Sequence, residues 1–239
     1  PSRDRRGTVT AAGDAAVMRI AIFSEVYWPM VSGVSLSLQR LVAGMAARGH
    51  TCRVYAPAYD LPAGSGDLPG VYRSPSRPLF IYRDVNWDFP RAVEIAADFA
   101  GFRPDVVHVA TEFAMGVTGM RLARQFDVPA VASAHTDYER YASRYMLDWL
   151  MPAGWGYLRW FYGGASTVLC PSRVYEQHLN ARGIRHTGIW SRGIDLTQFS
   201  PRLRSAAFRE RHGIPAGAPL VLYVGRLAAE KNLGLLLEA

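Results

Sequence analysis

The sequence predicts an α/β fold: a parallel sheet with helices on both faces, followed by the incomplete start of a second layer of the same kind. Three observations carry this. Short apolar runs alternate with amphipathic stretches of helical spacing, the pattern of repeated βαβ units. The runs are apolar at successive positions, as strands covered on both faces require. Gly or Pro marks many of the junctions between them.

Residues 1–16 (PSRDRRGTVTAAGDAA) lack periodicity and read as a disordered tail; the first domain is read over 17–190. Val17–Phe23 (VMRIAIF) is the first strand. Val34–Arg48 puts Leu38, Leu41, Val42 and Met45 on one helical face and closes at Gly49. Thr51–Ala56 is a strand stopped by Pro57, and 57–70 is a loop rich in Gly and Pro. Short strands follow near Val71–Arg73 and Leu79–Tyr82. Arg91–Phe102 reads as a helix, Asp105–Val109 as a buried strand, Met115–Phe126 as a helix and Val128–Ser133 as a strand. Tyr138–Leu147 and Trp155–Tyr162 are aromatic-rich helices. Ser166–Leu169 is a strand, and Ser172 caps a helix to Arg182 that Gly183 ends. Thr187–Trp190 is the last strand of this domain. Residues 191–202 (SRGIDLTQFSPR) break the rhythm and read as a linker. Residues 203–239 hold a helix at Leu203–His212, a strand at Pro219–Val224 (PLVLYV) and a helix from Asn232. One strand and an unfinished helix cannot bury a core, so the chain is expected to be a fragment.

Composition narrows the function. With 49% apolar and 20% charged residues, the 239-residue chain is globular. Its apolar runs are too short and too interrupted to span a bilayer. Two cysteines and no secretory signal favour the cytoplasm. Residues 1–139 carry 14 Arg against 14 acids, so the net charge of +7 resides in 140–239. A basic half suits an anionic partner, or is a solvated surface. No nucleic-acid recognition motif accompanies it, so none is expected as a partner. Of the 27 basic residues 26 are Arg, and the single Lys is Lys231.

Ligands of open parallel sheets bind beyond the carboxyl ends of the strands. Four places there stand out. Ser24–Ser35 (SEVYWPMVSGVS) joins the first strand to the first helix, with Gly33 where helix amides open to an anion. His135 follows the strand ending at Ser133, which places an imidazole in the crevice; a structural histidine is the plainer alternative. His108 reads as a packed core residue. In Val224–Asn232 (VGRLAAEKN), Gly225 ends a strand, and Arg226 and Lys231 flank a step into a helix N-terminus, which suits a diphosphate.

These residues, with S-A-H-T-D-Y around His135, R-G-I-D at Arg192–Asp195 and V-G-R-L-x-x-E-K at Val224–Lys231, resemble family 4 retaining glycosyltransferases. The likeness runs over roughly 18–239 and is greatest to bacterial GDP-mannose-dependent α-mannosyltransferases and related lipid glycosyltransferases. It implies a GT-B architecture of two Rossmann-like domains, of which this chain holds the N-terminal one. It also implies a nucleotide-sugar donor (GDP-mannose or a UDP-hexose), a lipid or carbohydrate acceptor and no cofactor. Arg226 and Lys231 would hold the donor diphosphate with Gly225 and, across the cleft, Gly33. His135 would contact the donor sugar, and Arg192, Gly193 and Asp195 would lie at the interdomain crossing. The family's paired glutamates, eight positions apart in the second domain, have no counterpart here, so the fragment alone is expected to be inactive.

No Asp-x-Asp occurs that would hold a metal on a diphosphate, so metal-independent chemistry is expected. Tyr138, Tyr141, Tyr145, Trp149, Trp155, Trp160, Phe161 and Tyr162 crowd one segment with Arg140, Arg144 and Arg159. They suit either a peripheral lipid interface at the inner membrane face or two helices packed on the sheet. A nucleotide-sugar epimerase of the same architecture and a non-catalytic binding module are the alternatives; an epimerase needs no acceptor.

Overall fold

The computed structural model describes residues 16–60, 66–78, 86–88, 91–144, 146, 148–225, 227 and 232–238. Its centre is a seven-stranded, wholly parallel sheet. The strands are β1 (Arg19–Phe23), β2 (Thr51–Pro57), β3 (Val71–Ser74), β6 (Val106–Val109), β7 (Ala130–Ser133), β8 (Thr167–Cys170) and β9 (Thr187–Ile189). Their spatial order is β3-β2-β1-β6-β7-β8-β9, so the chain reverses direction across the sheet between β1 and β6. A separate antiparallel pair joins β4 (Ser76–Pro78) to β5 (Asn86–Asp88). The expected strand at Leu79–Tyr82 lies outside the described residues, as does the tail at 1–15.

The connections are α1 (Gly33–Ala46), α2 (Ala92–Phe102), α3 (Ala114–Gln125), α4 (Tyr138–Arg144), α5 (Met151–Tyr162) and α6 (Arg173–Ala181). The central strands are buried on both faces, which is why they read as apolar runs. Ile20, Ile22, Val54 and Ala56 pack with Leu38 of α1 on one face. Phe23 and Tyr55 point the other way, stacked with ring centroids 4.5 Å apart, and meet Phe99 of α2. Gly119 of α3 lies against the Phe23 ring, where an added Cβ would approach to 2.6 Å. Ser32 and Ser172 cap α1 and α6 by accepting from the amides of Ser35 and Tyr175. Gly49 and Gly183, at φ 83° and 92°, supply the left-handed residues after those helices.

The chain divides into two compact units. The described residues within 1–135 and 154–191 form one, and those within 136–153 and 192–239 form the other. In the second, the expected helix at Leu203–His212 is shorter: Ser205 caps α7 (Ala206–Arg211), and Pro201–Leu203 makes a separate turn. The segment PLVLYV is not a strand. No strand pairs with it among the described residues, and Val221 and Val224 are exposed. A strand without a partner leaves its amides and carbonyls unpaired, so apolar composition alone does not form one. The last helix is α8 (Leu233–Glu238).

Candidate functional site

The loop after β1 is held in place by contacts from distant segments. Glu25 lies buried at its start. Its backbone amide donates to Thr111 Oγ1 at 2.9 Å, and its carboxylate accepts from that same hydroxyl. The other carboxylate oxygen accepts from the Met115 amide at 2.5 Å, in the first turn of α3. Burial pushes the Glu25 carboxyl above the usual range, against the lowering effect of these hydrogen bonds. Tyr59 donates its hydroxyl to the Glu25 carbonyl at 2.8 Å, and Arg73 donates to the Trp28 carbonyl at 2.5 Å. Arg73 is in turn fixed by Asp67 at 2.7 Å. The Ser24–Ser32 loop is thereby tied to β3 and to α3 before it delivers the chain to α1.

Gly33 is the first residue of α1 and is exposed. With no Cβ, it leaves the helix's first amides open to a close ligand. This loop and the Ala110–Phe113 loop leave adjacent strands that run on to opposite sides of the sheet, the place where open α/β sheets bind ligands.

His135 follows β7 as expected, one residue after Ala134, whose amide continues the ladder to the Leu169 carbonyl at 2.9 Å. Its ring lies 5.6 Å from that of Trp190, edge-on at 63°. His108 sits one position before the end of β6, buried, with Nε2 hydrogen-bonded to Ser133 Oγ. Burial pushes its imidazole down to about 4, so it is neutral at pH 7 and works as the core histidine the sequence suggests. Glu112 is a further buried carboxylate at this edge. It accepts from the Tyr162 hydroxyl, while its carbonyl accepts from Tyr157.

Arg226 and Lys231 lie outside the described residues. Gly225 is exposed and ends no strand, because PLVLYV forms none. In the R-G-I-D segment, Arg192 and Gly193 both adopt φ 67°. Asp195 turns the chain locally: its Oδ1 accepts from the Thr197 amide at 2.9 Å and the Gln198 amide at 3.2 Å.

The aromatic segment divides. Trp155, Phe161 and Tyr162 on α5 are buried, whereas Trp160 is 60% exposed. Trp155 rests against the His178 ring at 5.5 Å, with the Arg182 guanidinium 5.4 Å above it. It belongs to the packing of α5 on the sheet unit and is no lipid contact. Among the described residues no helix is long and apolar enough to cross a membrane.

Sequence reasoning passed over Glu25, Thr111, Glu112 and Trp190. Glu25 and Glu112 could have been found as acidic residues placed two and three positions beyond an apolar strand, where burial forces a carboxylate to find donors.

Over 222 residues the chain is 35% identical to a GDP-mannose-dependent α-mannosyltransferase of Mycobacterium tuberculosis, covering 90% of this chain and 58% of that one. It is 29% identical over 232 residues to an α-monoglucosyldiacylglycerol synthase of Streptococcus pneumoniae, covering 93% and 52%. A sucrose-phosphate synthase structure from Thermosynechococcus elongatus superposes with a TM-score of 0.69 at 18% identity, over 92% of this chain and 59% of that one. That likeness concerns the fold. The chain thus spans little more than half the length of the curated relatives it matches. Residues 31–198, from the loop before α1 through the R-G-I-D segment, match glycosyltransferase family 4, and the chain belongs to that family.

Proposed function

We propose that the full-length protein transfers a hexose from a nucleotide diphosphate sugar to a hydroxyl of a glycolipid or carbohydrate acceptor, with retention and without a metal. GDP-mannose is the first donor to expect. The observation that carries this is the 35% identity, over 90% of the chain, to a GDP-mannose-dependent α-mannosyltransferase. The similarity to a glucosyldiacylglycerol synthase supports a lipid acceptor and a peripheral position at the inner membrane face.

Breaking the bond between sugar and diphosphate leaves negative charge on the departing oxygen. Donors fixed beforehand around that oxygen lower the barrier most. In this reading the α1 N-terminus at Gly33 offers amides to the diphosphate. Arg226 and Lys231, with the Gly225 backbone, supply the compensating cations that a divalent metal supplies elsewhere. His135 hydrogen-bonds a hydroxyl of the donor sugar near the reacting carbon. Arg192, Gly193 and Asp195 lie at the crossing between the two domains.

The test offers the full-length protein GDP-mannose and a panel of UDP-hexoses, with lipid acceptors in vesicles, in the presence and absence of EDTA. Transfer of mannose to give an α-linked product, unchanged by EDTA, is expected. A strict requirement for Mg²⁺ overturns the metal-independent reading. Conversion of the donor sugar without any acceptor overturns the transferase reading in favour of an epimerase.

A further inference from the structure

The Trp190 ring meets two histidine rings. Its ring lies 5.6 Å from that of His108 at 68° and 5.6 Å from that of His135 at 63°. The residue directly follows β9, and its amide donates to the Cys170 carbonyl at 2.8 Å, which fixes its backbone to the end of β8. Its side chain packs against the cluster of Ile20, Ile22 and Leu38 on the α1 face of the sheet. His108 is locked by its hydrogen bond to Ser133 Oγ and stays neutral at pH 7. Ser133 and His135 are two positions apart along an extended strand end, so they project to the same side. His108 is buried, and Trp190 and His135 are half-buried.

An imidazole at a loop start can occupy several rotamers, and only some point its nitrogens into the crevice. An indole against one flank, itself held by its packing on the core cluster and on the His108 ring, removes the others. We propose that Trp190 is a positioning residue, holding the His135 imidazole in the orientation in which it meets the donor sugar. The inference rests on the reading that His135 touches that sugar. Displacements of about an ångström at a reacting centre cost up to ~100-fold in rate.

The test uses the full-length protein with Trp190→Leu, Trp190→Phe, His135→Ala and the Trp190→Leu/His135→Ala double variant. Two readouts are taken: steady-state transfer from GDP-mannose, and the imidazole carbon-bound proton resonances of ¹³C-histidine-labelled protein. In Trp190→Leu the resonances of both His108 and His135 move, because the indole ring current is lost from both. Turnover falls on the order of tenfold to a hundredfold while the KM for donor holds. Trp190→Phe, which keeps a ring at that position, recovers most of the loss. The double variant is no slower than His135→Ala alone. If the leucine variant does not fold, Trp190→Phe carries the same cycle with a smaller expected loss.

Multiplying effects of the two single substitutions overturn the positioning role, as do unmoved His135 resonances in Trp190→Leu. Wild-type turnover in His135→Ala overturns the sugar contact itself, and the positioning role falls with it. The two failures are distinct, because the second leaves the ring-current coupling of Trp190 to both histidines intact.

Discussion

Acidification should weaken the sheet unit through His108. Burial holds its native pKa at about 4, against 6.5 for an ordinary histidine, and the hydrogen bond to Ser133 involves the neutral ring. Between those values the unfolded chain binds a proton that the native state refuses. Stability conferred by the neutral ring is therefore complete above about 6.5 and is lost as pH falls toward 4. A gap of about 2.5 pKa units, at 1.36 kcal/mol each, amounts to ~3 kcal/mol. That is a large share of the 5–15 kcal/mol that typically separates native from unfolded domains. The perturbation is His108→Asn, which removes the titration and retains a polar group for Ser133. The loss of the ring beside Trp190 costs stability at every pH, so the discriminating quantity is the slope. Urea unfolding from pH 7 to pH 4, followed by near-ultraviolet circular dichroism, should show wild type losing ~3 kcal/mol more than the variant. Glu25 acts in the opposite direction: its raised native pKa makes its contribution grow as pH falls. It is present in both proteins and cancels in the comparison. Parallel pH profiles for wild type and His108→Asn would show that the His108 imidazole is not what weakens the fold in acid.

Gly116→Ala brings a Cβ within 1.8 Å of the Thr111 carbonyl oxygen, backbone that cannot swing aside. A loss of roughly 1–3 kcal/mol in thermal or urea unfolding is expected, with loosening of the Glu25–Thr111 link. Trp155→Ala should cost about 3–5 kcal/mol, because that ring is buried. Trp160→Ala should change stability by no more than ~0.5 kcal/mol. If α5 meets lipid, Trp160→Ala alone reduces binding to anionic vesicles, and unchanged binding removes α5 from the interface. Arg226→Ala and Lys231→Ala in the full-length protein should each remove about 2–4 kcal/mol of transition-state stabilisation, read as kcat/KM, by analogy with loss of one preorganised donor. Unchanged turnover in both contradicts their assignment to the diphosphate.

The parallel sheet was legible because its strands are covered on both faces. VMRIAIF and DVVHV carry apolar residues at successive positions, and each became a strand of the central sheet. Local signals placed the helix ends equally well: Ser172 caps α6, and Gly49 and Gly183 take the left-handed conformation. Signals that needed a distant partner misled. PLVLYV has strand composition, yet pairing is a property of two segments and no neighbour pairs with it among the described residues. In the aromatic segment, composition could not say which rings face the sheet. The phase of α5 decides that, and the helix begins at Met151, four residues before the expected start, with Pro152 tolerated in its first turn. The place of His135 two residues beyond a strand was legible; its ring contact with Trp190 was not, since 55 positions of sequence separate the two rings.

The contacts of Glu25 bear on where an anion binds. Two long helices, α1 and α3, begin at the loops that leave β1 and β6 and flank the reversal of strand order. Either could attract a diphosphate by its amides and dipole. At α3 the chain supplies its own carboxylate: Glu25 accepts from the Met115 amide and from Thr111, 90 and 86 positions away. A second anion there would meet that charge across a buried contact, in surroundings that already push the Glu25 carboxyl up. At α1 the cap is the neutral Ser32 hydroxyl, and Gly33 adds no side chain. The same carboxylate that closes α3 anchors the loop leading to α1, so closing one helix end and presenting the other are a single structural act. Replacing Glu25 by Ala therefore works against the donor twice under the proposed function: it frees a competing anion site and loosens the intended one.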